Sequence, residues 1–248
     1  MSLAGSDRFL VFVELLRAKV PSFKKYPFCL PAIKSLERLE FDPKVTFIIG
    51  ENGTGKSTLL EAIAVASGYN AEGGSKNFGF ATRESHSELH KFLRVARGIR
   101  KPKDGFFFRA ESFYNVATAV ENLGVTGYGD KSLHEQSHGE SFWSLFTHRF
   151  RGQGVYIMDE PEAALSPTRQ MAALLRIHQL VQGKSQLIIA THSPILMAYP
   201  QATILELSKT GVHKVRYEET DHFAISKRFF SDPKRILAEL LREDSKTD

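Results

Sequence analysis

The apolar run Val45–Ile49 stops at Gly50 and opens at once into Gly50-Glu51-Asn52-Gly53-Thr54-Gly55-Lys56-Ser57, with a helix-compatible stretch, Thr58–Ala66, behind it. No other feature constrains this chain as strongly. The spacing G-x-x-x-x-G-K-[ST], set between a buried strand and a helix, builds a cradle for a phosphate chain. Gly53 and Gly55 permit the turns that aim successive backbone N–H groups inward. The helix behind them adds its positive N-terminal end. Lys56 brings a point charge suited to β- and γ-phosphates, and Ser57 a hydroxyl of the kind that ligates Mg²⁺. Gly50, Glu51, Asn52, Gly53, Thr54, Gly55, Lys56, Ser57 and Thr58 are therefore the candidate phosphate-binding residues.

A second acidic feature complements this loop. Val155-Tyr156-Ile157-Met158 is a buried strand that ends in Asp159-Glu160. Phosphoryl transfer at such a loop needs one acid to hold the metal and a group that orients the attacking water. Asp159 is assigned to the first task and Glu160 to the second.

The rest of the pattern alternates strands with helices. Strands are expected over 9–17, within 32–41, and over 45–49, 105–110, 154–158 and 186–190. A hairpin is expected from 202–208 and 212–217. Helices are expected over 58–66, 112–122 and 140–150, from Ser166-Pro167 to about Gln182, and after Asp232-Pro233. A further helix is expected from Ser85, with Glu88 at capping-box spacing and Leu89, Phe92, Leu93 and Ala96 at helical spacing. Such alternation argues for an α/β fold with a largely parallel sheet.

Composition narrows the class. The chain has 248 residues, 33 Lys+Arg against 28 Asp+Glu, and one cysteine, Cys29. That length suits a single domain able to bury a sizeable core. A lone cysteine excludes an intramolecular disulfide framework and suits a reducing, cytoplasmic setting. No apolar run approaches the roughly 18 residues of a membrane span, so membrane insertion is not expected. Charges within the first twenty residues break any signal-peptide core.

Asp159-Glu-Pro-Glu-Ala-Ala-Leu-Ser-Pro167 resembles the Walker B and D-loop segment of ABC-type ATPases, closest to the branch holding SMC-like, RecF-like and OLD-type proteins. Ile188-Ile-Ala-Thr-His192-Ser193-Pro194 is similar to that branch's H-loop. Gln136-Ser137-His138-Gly139-Glu140-Ser141 resembles a degenerate ABC signature. The order of the four motifs is the ABC order, and the resemblance covers about residues 9–210. It implies a P-loop NTPase fold of ABC-ATPase type over the whole chain: a largely parallel core sheet, an antiparallel β edge, and a small helical lobe near 112–150. It also implies ATP and Mg²⁺ as cofactors, hydrolysis to ADP and phosphate, and an ATP-dependent head-to-tail homodimer.

Carried over by position, Ser137 and Gly139 contact the γ-phosphate bound to the other subunit, and His192 the one in its own. Glu111 stands in the Q-loop region as a Mg²⁺ or water contact. Phe23, Tyr26 or Phe28 stacks on adenine. Ser166 stands where transporter ATPases usually have the D-loop aspartate, which counts against a transporter role.

Four functional classes follow, the last a non-catalytic ATP switch whose dimer closure signals to a partner, against which Glu160 argues for turnover. The first is a stand-alone ATPase dimer. The second is the nucleotide-binding subunit of an ABC transporter, with a separate protein partner in the membrane. The third is a DNA-associated SMC- or RecF-like ATPase. The stretch between Lys56 and Ser137 is too short for a coiled-coil arm, and the stretch after Thr210 is short for a nuclease domain. Lys91, Arg94, Arg97, Arg100, Lys101 and Lys103 form a run without an intervening acid, a pattern that nucleic-acid phosphates attract and that solvated surfaces also carry. Phe106-Phe107-Phe108 reads as strand core.

Overall fold

The computed structural model describes residues 8–76, 87–122 and 137–243. A six-stranded sheet forms the centre, built from β3 (Val45–Gly50), β5 (Asp104–Arg109), β6 (Gly154–Asp159), β7 (Gln186–Ala190), β8 (Thr203–Ser208) and β9 (Gly211–Val215), in the order β5-β6-β7-β3-β8-β9. All neighbours run parallel except β9, which returns antiparallel beside β8 as the hairpin expected. A separate antiparallel sheet has the order β2-β1-β4, from β1 (Leu10–Leu15), β2 (Arg38–Glu40) and β4 (Leu93–Arg97). The fold is the α/β P-loop architecture expected from the sequence.

The central strands read as unbroken apolar runs because both faces are covered. Successive side chains alternate between faces. Phe47, Phe106, Phe108, Tyr156, Met158 and Ile189 enter one core, while Ile48, Phe107, Ile157, Ile188 and Leu207 enter the other. The first is closed by α3 (Phe113–Asn122), α4 (His138–Ser144) and α5 (Pro167–Gln182). The second is closed by α1 (Pro31–Lys34), α2 (Lys56–Ala66) and the antiparallel sheet. Phe106, Phe107 and Phe108 are fully buried, each worth roughly 2 kcal/mol of apolar burial. They are core and present no stacking platform.

Buried Gln186 joins the two sheets. Its Oε1 accepts from the Phe9 and Leu10 N–H groups, and its Nε2 donates to the Leu10 and Asp42 carbonyls.

Two expectations are corrected. The helix from Ser85 does not form, although Ser85 itself lies outside the described residues. Glu88–Phe92 make one 3₁₀ turn, capped by Ser87, and Leu93–Arg97 extend as β4. The open edge of β1 pairs with this stretch, and Arg94 meets Glu14 across the pair at 2.7 Å. Tertiary pairing here overrides the local helical spacing. The strand expected within 32–41 is shortened, because Pro31 opens α1 and only Arg38–Glu40 remain extended.

In the expected helical lobe, 113–122 and 138–144 are α-helical and 145–149 form a π turn, while 123–136, including Gln136, lie outside the described residues. Besides the short helices α1 and α6 (Pro194–Met197), a longer helix went unanticipated: α7 (Asp221–Ser231), capped by Thr220 and followed by α8 (Pro233–Glu243). It is held near α6, since the Tyr217 hydroxyl just before it donates to the Pro194 carbonyl at 2.9 Å. No helix among the described residues is long and apolar enough to cross a membrane.

Candidate functional site

Parallel strands deliver their carboxyl ends to one edge of the sheet, where open α/β folds bind ligands. β7 lies between β6 and β3, with Ala190 in register with both Asp159 and Ile48. The phosphate loop, the acidic pair and the Thr191-His192 segment therefore leave the sheet side by side.

The loop has the backbone its glycines were expected to supply. Gly50, Gly53 and Gly55 all have positive φ, and Gly55 caps α2 with no side-chain partner. A Cβ on Gly50 would lie 2.4 Å from the Leu207 carbonyl oxygen, so β8 also demands glycine there. Thr54 ties the loop by donating to the Glu51 carbonyl at 2.7 Å. The Lys56 ammonium is buried inside the loop and donates to the Gly50 and Glu51 carbonyls at 2.7 and 2.9 Å. Burial lowers its pKa, and Glu160, Asp159 and Glu162 partly restore it.

Ser57 Oγ donates to Asp159 Oδ1 at 3.2 Å. Two residues expected from distant motifs to share a metal are thus in direct contact. Asp159 is buried, and desolvation pushes its pKa up to about 7, against the attraction of Arg109 and the Ser57 hydrogen bond. Arg109, at the end of β5 in register with Asp159, was not anticipated. Its guanidinium reaches Glu61 at 2.7 Å, Glu111 at 3.5 Å and Asp159 at 3.8 Å. Its only sequence signal was a basic residue where an apolar strand ends. Glu111 is well exposed and tied to this same arginine.

A buried carboxylate with a raised pKa favours a neutral isostere. Below the unfolded value of about 3.8 Asp159 is protonated in both states, and its contribution to stability is fully present. As pH rises through about 7 that contribution is lost. Asp159→Asn, without nucleotide, is therefore expected to gain roughly 2–4 kcal/mol over the wild type at pH 8. The advantage should shrink steadily toward pH 5. Denaturant melts at several pH values check this, and a constant difference would contradict it.

Glu160 follows in left-handed backbone, φ 49°, with its N–H donating to the Ala190 carbonyl. This turn sets its carboxylate 3.7 Å from His192 Nε2. The His192 N–H donates to Glu162 Oε1 at 2.5 Å. Burial holds the Glu162 carboxyl above its usual range and His192 below its own. Glu162 was quoted in the acidic motif but given no role; the structure makes it the anchor of the His192 backbone. On the other side, His192 Nδ1 lies 3.1 Å from His222 Nε2, on α7. Gly50, Glu51, Asn52, Glu160, His192, Glu206, Asp221 and His222 line one cleft of about 590 Å³. No motif signalled Glu206, Asp221 or His222.

Ser137 is the N-cap of α4. It forms a capping box in which the Glu140 N–H donates to Ser137 Oγ and the Glu140 carboxylate accepts from the Ser137 N–H. A Cβ on Gly139 would sit 2.6 Å from the Ala164 carbonyl oxygen, so packing on the 161–164 turn already requires glycine. Among the aromatics, Phe28 is buried and edge-packed on Phe92, and Phe23 lies under Arg17. Tyr26 is 63% exposed.

Two families match by sequence. The "AAA domain" family matches residues 22–116, and the family described as "AAA domain, putative AbiEii toxin, Type IV TA system" matches residues 91–198. A "Putative ABC transporter ATP-binding protein" of Caldanaerobacter subterraneus is 28% identical over 188 residues, covering 66% of this chain and 77% of that protein. "ABC transporter G family member STR2" of Medicago truncatula is 26% identical over 171 residues, covering 60% of this chain and 24% of the plant protein. Among solved structures, cbiO1 of Clostridium perfringens aligns with a TM-score of 0.45 at 19% identity, over 84% of this chain and 92% of that one. An SmcHead bound to the C-winged helix domain of ScpA aligns with a TM-score of 0.44 at 12% identity, over 72% of this chain and 92% of that one.

Proposed function

We propose that this chain, similar over residues 22–116 and 91–198 to AAA-domain families and 28% identical to a putative ABC transporter ATP-binding protein, binds ATP with Mg²⁺ and hydrolyses it in an ATP-dependent head-to-tail dimer. The observation that carries this reading is the contact of Ser57 with Asp159, whose neighbour Glu160 lies 3.7 Å from His192 and lines one cleft with it. Backbone N–H groups of Gly53–Ser57 and the Lys56 ammonium take the β- and γ-phosphates. Ser57 and Asp159 hold Mg²⁺, which neutralises phosphate charge when bound; a hydroxyl beside a single buried carboxylate suits a hard cation that also takes phosphate oxygens.

Glu160 accepts the proton of the attacking water, and His192 steadies the γ-phosphate through Nε2. Tyr26, the exposed aromatic, stacks on adenine. The start of α4, with its exposed cap Ser137 and the half-buried Gly139 behind it, reaches the γ-phosphate held by a second copy. Glu111 serves the metal or water through its tie to Arg109. The protein works in the cytoplasm, with a separate protein partner receiving the output of the cycle. Mg²⁺-dependent release of phosphate from ATP by the purified protein tests the reading. Its absence at any protein concentration would overturn it.

Nucleic acid is a second reading, carried by Lys76, Arg97, Arg100 and Lys101, which stand together at a small cleft of about 230 Å³ that is otherwise lined largely by apolar residues such as Phe9, Leu10, Ile99 and Val155. Part of the run is already engaged: Lys91 pairs with Glu88, Arg94 with Glu14, and Arg97 donates to the Ala66 carbonyl. If DNA docks here, affinity falls steeply with salt as counterions are released. Changing Arg94, Arg97 and Arg100 to Glu then removes binding while basal ATPase activity stays unchanged. A wild type without a salt-sensitive shift at low ionic strength, with or without ATP, leaves the run as a solvated face.

A further inference from the structure

The resemblance that located His192 gives no role to helix α7 beside it. Yet His222, near the start of α7, has its Nε2 only 3.1 Å from His192 Nδ1. One of the two nitrogens must carry the proton between them. The two free ring nitrogens, His192 Nε2 and His222 Nδ1, are buried without a hydrogen-bond partner among the described residues.

Two arrangements of two neutral rings are possible, and they differ in cost. If His192 Nδ1–H donates, its Nε2 carries a lone pair that faces the Glu160 carboxylate at 3.7 Å. His222 then bears its own proton on Nδ1, a buried donor with no acceptor. If His222 Nε2–H donates, His192 keeps its proton on Nε2 and points an N–H toward Glu160. His222 Nδ1 is then an unpaired acceptor, and the repulsion at Glu160 is gone. The second arrangement is the favourable one: a lone pair against an anion is replaced by a donor.

We propose that His222 is a positioning residue: its Nε2–H donates to His192 Nδ1 and fixes the proton of His192 on Nε2, the nitrogen turned toward Glu160. The inference rests on the ATPase reading for its consequence. A γ-phosphate presents only acceptors, so His192 meets it productively as an Nε2–H donor and not as a lone pair. The position of α7 thereby becomes part of the site. Any displacement of the helix that parts the two rings frees His192 to change tautomer, which couples α7 to turnover.

The test uses the full chain with ¹⁵N-labelled histidine, and the His192 ring is identified by loss of its signals in His192→Gln. Long-range ¹H–¹⁵N spectra read the tautomer directly. The wild type is expected to show His192 protonated on Nε2, and His222→Ala a mixture of tautomers. His222→Gln places an amide N–H near the former Nε2 and should restore the wild-type pattern. In steady-state kinetics, kcat in His222→Ala should fall about tenfold or more, the scale of lost orienting hydrogen bonds, with KM for ATP little changed. His222→Gln should recover most of kcat.

A wild-type His192 protonated on Nδ1 would overturn the proposal even if no variant folded. So would a His222→Ala protein with the wild-type tautomer and wild-type kcat. A wild type that releases no phosphate from ATP would instead overturn the ATPase reading, and the ring spectra would still decide the His222 contact.

Discussion

Lys56→Ala is expected to abolish ATP hydrolysis and to weaken ATP binding by about two orders of magnitude, with the fold retained. A charge-assisted contact with phosphate in a partly desolvated loop is worth roughly 3 kcal/mol, which sets that scale. The same residue does little for the resting structure. Its ammonium is buried, and burial destabilises the charged form. Its bonds go to two carbonyls of its own loop. Melting temperature should therefore change little, while ATP affinity by calorimetry and phosphate release collapse together. Unchanged affinity and turnover would remove the phosphate-loop assignment.

Glu160→Gln is expected to convert the protein into an ATP-locked dimer. The substitution keeps a hydrogen-bonding end beside His192 but removes the proton acceptor and one negative charge. ATP then binds and persists. Where Ser137 and Gly139 of each copy reach the phosphate held by the other, two trapped nucleotides fasten the pair at once. Size-exclusion chromatography should show a dimer with Mg-ATP, and a monomer or weaker dimer with ADP.

Adding Ser137→Arg places bulk and charge at the exposed cap of α4 and should abolish that dimer while sparing ATP binding by the monomer. The change also removes a capping box, at about 1 kcal/mol, so the variant's own melting temperature is the control. A Glu160→Gln protein whose mass ignores ATP, or whose dimer ignores Ser137→Arg, would remove the sandwich and leave the phosphate loop standing.

The sequence by itself determined the elements whose chemistry is local. Gly50–Ser57 could be read because three positive-φ glycines, a lysine and a serine are needed within one short loop, and nothing distant substitutes for them. The helix Pro167–Gln182 was legible because its cap and N1 proline stand next to each other at its start and a glycine follows its end. The central strands were legible because burial on both faces leaves apolar runs.

The tertiary structure decided what depends on an edge or a neighbour. Leu93–Arg97 carries helical spacing, yet it became a strand because β1 offered unpaired backbone. Arg109 and His222 carry no motif, and Glu162 stands in the Asp159–Pro167 motif with no role that the motif assigns. Their roles come from registers and contacts that exist only after folding: Arg109 opposite Asp159, Glu162 beneath the His192 amide, and His222 returning on α7 some thirty positions after the histidine it meets. A motif fixes which atoms a loop offers, whereas the partner that sets a proton or a charge on those atoms is chosen by packing.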